Sequence, residues 1–381
     1  MGSTHASSST EVDTVDRGLL PTTMVGSYPR PAWFDWQLEG RDILEAFKVI
    51  HHKEAFADAV KVVIDDQHRA GLDILTDGQM WFDDYSMGIG AFLFYWLERI
   101  EGFGKEKLPH PSLAKAKGRD RWALDEVGGI ALVGEPRRGP IRMAELFHLA
   151  QGCTTKPIKA CIGAGPVQLS TLVHFHGGPV KDRYELAHRL AAIFREEIRD
   201  VVSAGCRHIQ LEDLGAWIPT LTGEADYAWV NEVVDETLAG CEAATSWHFC
   251  LGNVWGNKMQ GMTKKGYAEV LPHYYEANVQ EFVLDFACRE MEDAALLRDL
   301  PKDKRVAVGV IDVRTLEIEP PEHVAERIRK VLAHIEPERV TLTTDCGMKQ
   351  LPRHCASQKL VALVRGAEIV RAELTGRPAH G

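Results

Sequence analysis

The sequence predicts an α/β fold, a (β/α)8 barrel of the TIM type with an insertion after the second strand. Three observations lead there. Short, apolar, β-rich runs alternate with longer amphipathic stretches along 381 residues. Eight such runs can be selected, the number a closed parallel barrel requires. Metal-ligand residues gather at the ends of three of them, and strand ends are where barrel enzymes keep their chemistry.

Taken in order, residues 1–17 are rich in Ser and Thr and lack the apolar centre of a signal peptide. They predict a disordered tail over 1–19, followed by one barrel domain over 20–381. Strands are expected at 22–28, 73–77, 158–162, 208–211, 245–250, 282–286, 306–311 and 340–344. A helix is expected over 183–204, opened by Asp182 as a cap. Another follows Pro320 and Pro321, because proline suits a helix's first turn, and runs to about His334. Residues 88–133 break the rhythm and read as an insertion, either a hairpin or a substrate-covering flap. Its surroundings carry Trp81, Phe82, Tyr85, Phe92, Phe94, Tyr95 and Trp96, which either pack flap against barrel or form a dry lid.

The composition narrows the function classes. Net charge is −11 with no sustained basic stripe, which argues against nucleic acid as a partner. No run approaches the roughly 20 apolar residues of a membrane span. Eight cysteines dispersed over a long chain suit a reducing cytoplasm better than a disulfide scaffold. Small-molecule partners are expected, and homo-oligomerisation is left open.

The fifth expected strand ends in Trp247-His-Phe-Cys250, and alternation turns His248 and Cys250 to one face. The sixth offers Asp285 or Cys288, and the eighth ends beside Cys346. An imidazole, two thiolates and a carboxylate would complete a tetrahedral Zn²⁺ site. Each cysteine alone is more ordinarily a small buried hydrophobe. His174 and His176 are either a second metal pair or loop residues.

Several segments together resemble the C-terminal catalytic barrel of cobalamin-independent methionine synthase. They are Pro21-Thr-Thr-Met-Val-Gly-Ser-Tyr-Pro29, Thr76-Asp-Gly-Gln79, Ile209-Gln-Leu-Glu-Asp213, His248-Phe-Cys250 and Thr344-Asp-Cys-Gly-Met-Lys349. The similarity runs from about Leu20 to Leu374 and suits the short, single-barrel members. It implies a zinc ion that binds a substrate thiol, held by His248, Cys250, Cys346 and, in place of the family's glutamate, Asp285. Ser27 matches a residue that holds homocysteine's carboxylate. Gln79 stands where the family has a glutamate facing the homocysteine amine, and Glu212 replaces its aspartate partner. Leu172 replaces an aromatic that stacks on folate, and Arg314 replaces a histidine.

The implied chemistry is S-alkylation. Zinc deprotonates a bound thiol near neutral pH, and an sp³ carbon is then transferred to sulfur. Asp213, beside Glu212, is a candidate proton donor to the leaving atom, or else an acid facing the surface. The expected reaction is methyl transfer from a folate-type donor to a small thiol such as homocysteine. An alternative is epoxide opening, as in epoxyalkane:coenzyme M transferase, with Arg30 or Arg314 facing a sulfonate. A non-catalytic zinc- or pterin-binding barrel is the third reading.

Overall fold

Six strands, each buried along nearly its whole length, pair in parallel in the order Val340–Thr344, Arg305–Ile311, Glu281–Asp285, Ala244–His248, His208–Glu212 and Ala160–Gly163. Burial on both faces is what a parallel sheet covered by helices requires. The computed structural model describes residues 18–34, 50–81, 90–115, 117, 121, 124–125, 127–254, 257–258 and 266–376. The first two expected strands are present as single parallel bridges, Thr22 to Leu342 and Leu75 to Ile158. The Asp73 and Ile74 amides donate to the Thr22 carbonyl and join these two segments to each other. Eight positions therefore follow one another around a ring, and the TIM-type barrel of the sequence reading is the architecture found.

The helices start where the sequence places them. Arg183–Ser203 is capped by Asp182, whose side chain accepts from the Glu185 amide, and Pro321 opens Pro321–Leu332. Residues 1–17 of the expected tail lie outside the described residues. At its end and at the start of the barrel, Arg371 donates to the carbonyls of Leu19 and Leu20.

The insertion is built into the body. Its helix Gly90–Arg99 leads to Glu101–Phe103, which pairs antiparallel with Ile130–Arg137. That strand pairs in parallel with Val173–Phe175, in the connection after barrel strand Ala160–Gly163. Trp96 stacks on Phe194 of a barrel helix at 4.0 Å, and Trp81 meets Tyr95 edge-on at 4.3 Å. Removing a buried aromatic of this size costs about 3–5 kcal/mol, so these contacts anchor the insertion. Packing is therefore what Trp81, Tyr95 and Trp96 do, whereas half-buried Phe92 lines a cavity at the barrel mouth. Phe82 and Tyr85 lie outside the described residues.

Candidate metal centre and acceptor cavity

Strands Ala244–His248 and Val340–Thr344 end at the same rim of the barrel. Cys250 and Cys346 each lie two residues beyond their positions 248 and 344. The rim brings one ligand atom each from His248, Cys250 and Cys346 to within 4.8 Å of one another. His248 is paired in register with Val283, and its Nδ1 lies 3.2 Å from the Val283 carbonyl. The carbonyl can only accept, so Nδ1 carries a proton, and Nε2 is the nitrogen that offers a lone pair whenever the ring is neutral. That Nε2 is buried and has no hydrogen-bond partner among the described residues. An acceptor stranded in this way costs about 1–3 kcal/mol unless something takes its lone pair. An imidazole oriented by a backbone carbonyl, beside two thiols, is a donor set that suits zinc.

The charges agree with this. Cys250 accepts hydrogen bonds from the Cys346 thiol and the Gly252 amide, the latter at 3.3 Å. The Cys346 bond, against the effect of burial and with help from His248, holds the Cys250 thiol well below its usual range. Burial disfavours the imidazolium of His248, but Cys250, Asp285 and Glu212 outweigh it and lift the ring to about 9. The Cys346 thiol moves the other way, raised by its bond to Cys250 and by burial.

Asp285, expected as the fourth ligand, lies outside this cluster. Its Oδ2 accepts from the Leu251 amide at 3.0 Å and from Arg314 Nη2 at 2.9 Å. Its Oδ1 is buried without a partner among the described residues. Burial and the neighbouring Cys250 push the Asp285 carboxyl up to about 6, against the pull of Arg314. Arg314, expected to face a substrate, is not among the cavity's lining residues, although its charge acts on Cys250 and Cys346. Its other arm reaches Asp345 Oδ2 at 3.2 Å, and its side chain is 3 % exposed. The loop that carries it is pinned at Glu319, which accepts from the Asp312 amide, Arg327 and Lys359. Arg314 is a structural brace between two buried carboxylates.

Asp213, expected as a proton donor or else a surface-facing acid, is buried. Its carboxylate accepts from the amides of Val167, Gln168 and Gly215 at 2.8–2.9 Å and is absent from the cavity wall. Burial pushes it up to about 7, although these three amides pull the other way. Asp345 does the same on the opposite side of the barrel, accepting from Ala287 and Cys288. Both reaches need a bare backbone. A Cβ on Gly165 would lie 2.2 Å from Asp213, and one on Gly309 would lie 2.2 Å from Asp345. Asp213→Asn should therefore cost about 1–3 kcal/mol of stability in urea denaturation, because one amide would face an NH2 group. Lost turnover with unchanged stability would return Asp213 to the role of proton donor.

Ser27, Gln79 and Glu212 do line the same cavity as the His248, Cys250 and Cys346 cluster. Gln79 Nε2 donates to Glu212 at 3.0 Å and Gln210 Nε2 at 3.1 Å, and Lys159 in turn donates to Gln210. Burial raises the Glu212 carboxyl, against the nearby charge of His248. His174 bonds the Pro109 carbonyl at 2.7 Å and stacks near His176, apart from the metal cluster. Leu172 is buried, and its carbonyl accepts from the Ile130 amide, which ties the insertion's sheet to the barrel.

Sequence reasoning missed Asn253 and Lys349 as wall residues. Asn253 lies three positions after Cys250 and Lys349 three after Cys346, so the signal available was membership of the ligand-bearing loops.

Residues 126–369 match the family model described as cobalamin-independent synthase, catalytic domain. A methionine synthase of Saccharolobus solfataricus is 31% identical over 364 residues, covering 93% of this chain and 96% of its own length. The chain belongs to the cobalamin-independent methionine synthase family. A methionine synthase of Sulfolobus acidocaldarius is also 31% identical, with 93% and 94% covered. Among solved structures, a B12-independent methionine synthase from Shewanella sp. W3-18-1 in complex with selenomethionine superposes with a TM-score of 0.77 at 27% identity. It covers 94% of this chain and 100% of that one. Membership makes the chain an enzyme of a methyl-transferring family. Among the described residues, no helix is long and apolar enough to cross a membrane.

Proposed function

We propose that the protein is a zinc-dependent S-methyltransferase that passes a methyl group from a folate-type donor to a small amino thiol of the homocysteine kind. The observation that carries this reading is one cavity wall shared by the His248, Cys250 and Cys346 cluster with Ser27 and Glu212. His248 through Nε2 and the two cysteines through sulfur would hold the metal. When bound, zinc supplies a Lewis acid that makes a coordinated thiol nucleophilic at neutral pH. The residues do the remainder. The Val283 carbonyl fixes the His248 tautomer, and Gly252 steadies the Cys250 sulfur. Ser27 offers a hydroxyl to the acceptor's carboxylate, and Glu212 supplies the negative charge that an ammonium needs. Phe92 closes part of the wall with apolar surface, which strengthens these interactions by excluding water.

Arg314 braces Asp285 and Asp345, while Arg30 lies over the Phe34 ring and donates to the Met80 carbonyl. Neither lines the cavity, so the arginine basis for a sulfonate acceptor such as coenzyme M falls away. The reading is tested by incubating zinc-loaded protein with homocysteine and methyl-tetrahydrofolate and measuring methionine. Metal-replete protein that binds the thiol but yields no methionine from any folate donor would contradict the assigned donor.

Acceptor charge gives a further prediction. Gln79→Glu should strengthen homocysteine binding and weaken that of coenzyme M, read by calorimetry. A charge-assisted hydrogen bond is worth about 1.5–3 kcal/mol, and the lower end, roughly tenfold, is expected. Two neighbouring carboxylates without a proton between them repel until an ammonium joins them, which consumes part of the gain. Unchanged affinity for both thiols would mean that position 79 does not sense the acceptor.

A further inference from the structure

Asn253 opens the short strand Asn253–Val254 and lines the cavity beside His248, Cys250 and Cys346. Its side chain is 6 % exposed, and its Oδ1 is buried without a hydrogen-bond partner among the described residues. The other end of the amide is engaged, since Nδ2 donates to the Gly347 carbonyl at 3.3 Å. That contact fixes which way the amide lies. A flipped side chain would set its oxygen against the Gly347 oxygen, two acceptors with no proton between them. The amide therefore presents an oxygen, not an NH2 group, at its unpaired end.

We propose that Asn253 selects the acceptor, its Oδ1 taking a hydrogen bond from an amino group carried by the thiol. The inference rests on the thiol-methylation reading and adds the group that the cavity reads besides sulfur. An amide oxygen accepts only, so it favours N–H or O–H donors and is repelled by carboxylate or sulfonate oxygens. Glu212 lines the same cavity and tips the choice from hydroxyl to ammonium, because its carboxylate favours a cation. A buried acceptor left open in the free protein gains its bond only when the right ligand arrives, and ligands lacking the donor leave it stranded. This is the arrangement by which sites built to hydrogen-bond a substrate reject analogues without that group.

The test uses the cobalt-substituted full chain, in which thiol binding is followed by the sulfur-to-cobalt charge-transfer band. Homocysteine and 4-mercaptobutyrate differ only in the amine. In the native chain homocysteine should bind roughly ten- to a hundredfold more tightly, the span of one charge-assisted hydrogen bond. In Asn253→Leu, similar in shape but without the acceptor, the gap between the two affinities should narrow by roughly tenfold, leaving the share due to Glu212, while 4-mercaptobutyrate still gives its band. Asn253→Ala should behave in the same way. A preference unchanged in either metal-retaining variant overturns the proposal, as do equal affinities in the native chain. If both variants lose the metal, Asn253 acts through its bond to Gly347, and selection by Oδ1 is likewise overturned. If neither thiol produces a band in native, cobalt-loaded protein, thiol binding itself fails and the methylation reading falls with it.

Discussion

Cys346→Ser is expected to strip the protein of most of its metal, and Cys250→Ser to do the same. Purified native protein should carry about one Zn²⁺ per chain, as a single tetrahedral site requires. Loss of an outer partner of a metal ligand typically lowers affinity by about 10–100-fold. Loss of a thiolate ligand should exceed the upper end of that range, measured by competition with a chromogenic chelator. Cys161→Ser is the control, because the Cys161 thiol donates to the Val25 carbonyl at 2.9 Å and is not part of the cluster. Full zinc retention by Cys346→Ser would remove that residue from the site.

Arg314→Leu should produce the largest loss of stability at the rim. The guanidinium lies between Asp285 and Asp345, both 0 % exposed, and no other cationic side chain hydrogen-bonds either one among the described residues. Taking away one member of a buried ion group leaves uncompensated charge and costs about 3–5 kcal/mol. That is a large share of the 5–15 kcal/mol that typically separates folded from unfolded protein. Urea denaturation of the variant, with Arg314→Lys as a charge-preserving comparison, measures it. Lysine keeps the charge but lacks the two-armed fork, so a partial rescue is expected. A loss below about 1 kcal/mol would show that the carboxylates do not depend on Arg314.

The strand runs were legible because a parallel barrel buries both faces of each strand, which concentrates β-branched and apolar residues into short blocks. The first two are present only as bridges at Thr22 and Leu75. The pairing of Ile130–Arg137 with Val173–Phe175 was not legible, because nothing local to either segment specifies so distant a partner. Within the site, His248 and Cys250 could be read from strand alternation, and Cys346 from its strand end. The surroundings of Asp213 and Asp285 could not, although Glu212 does line the cavity. A residue at a strand end can turn into the barrel mouth or across to amides of a neighbouring loop, and its position decides neither. Asp213 and Asp345 took the amides, and Asp285 took Arg314 and the Leu251 amide, because a buried carboxylate goes where donors already wait. Asn253 escaped notice for the opposite reason. Its significance lies in a missing partner, which only the folded chain reveals.

The account stands most directly on what surrounds the metal, and X-ray absorption at the zinc edge reports it. With His248, Cys250 and Cys346 as ligands, the purified protein should show two sulfur scatterers and one imidazole around zinc. Addition of homocysteine should raise the sulfur count to three, with the Zn–S distance near 2.3 Å. A zinc shell without sulfur, or a sulfur count unmoved by saturating thiol, would contradict the claim that this cavity holds a metal in order to activate a thiol.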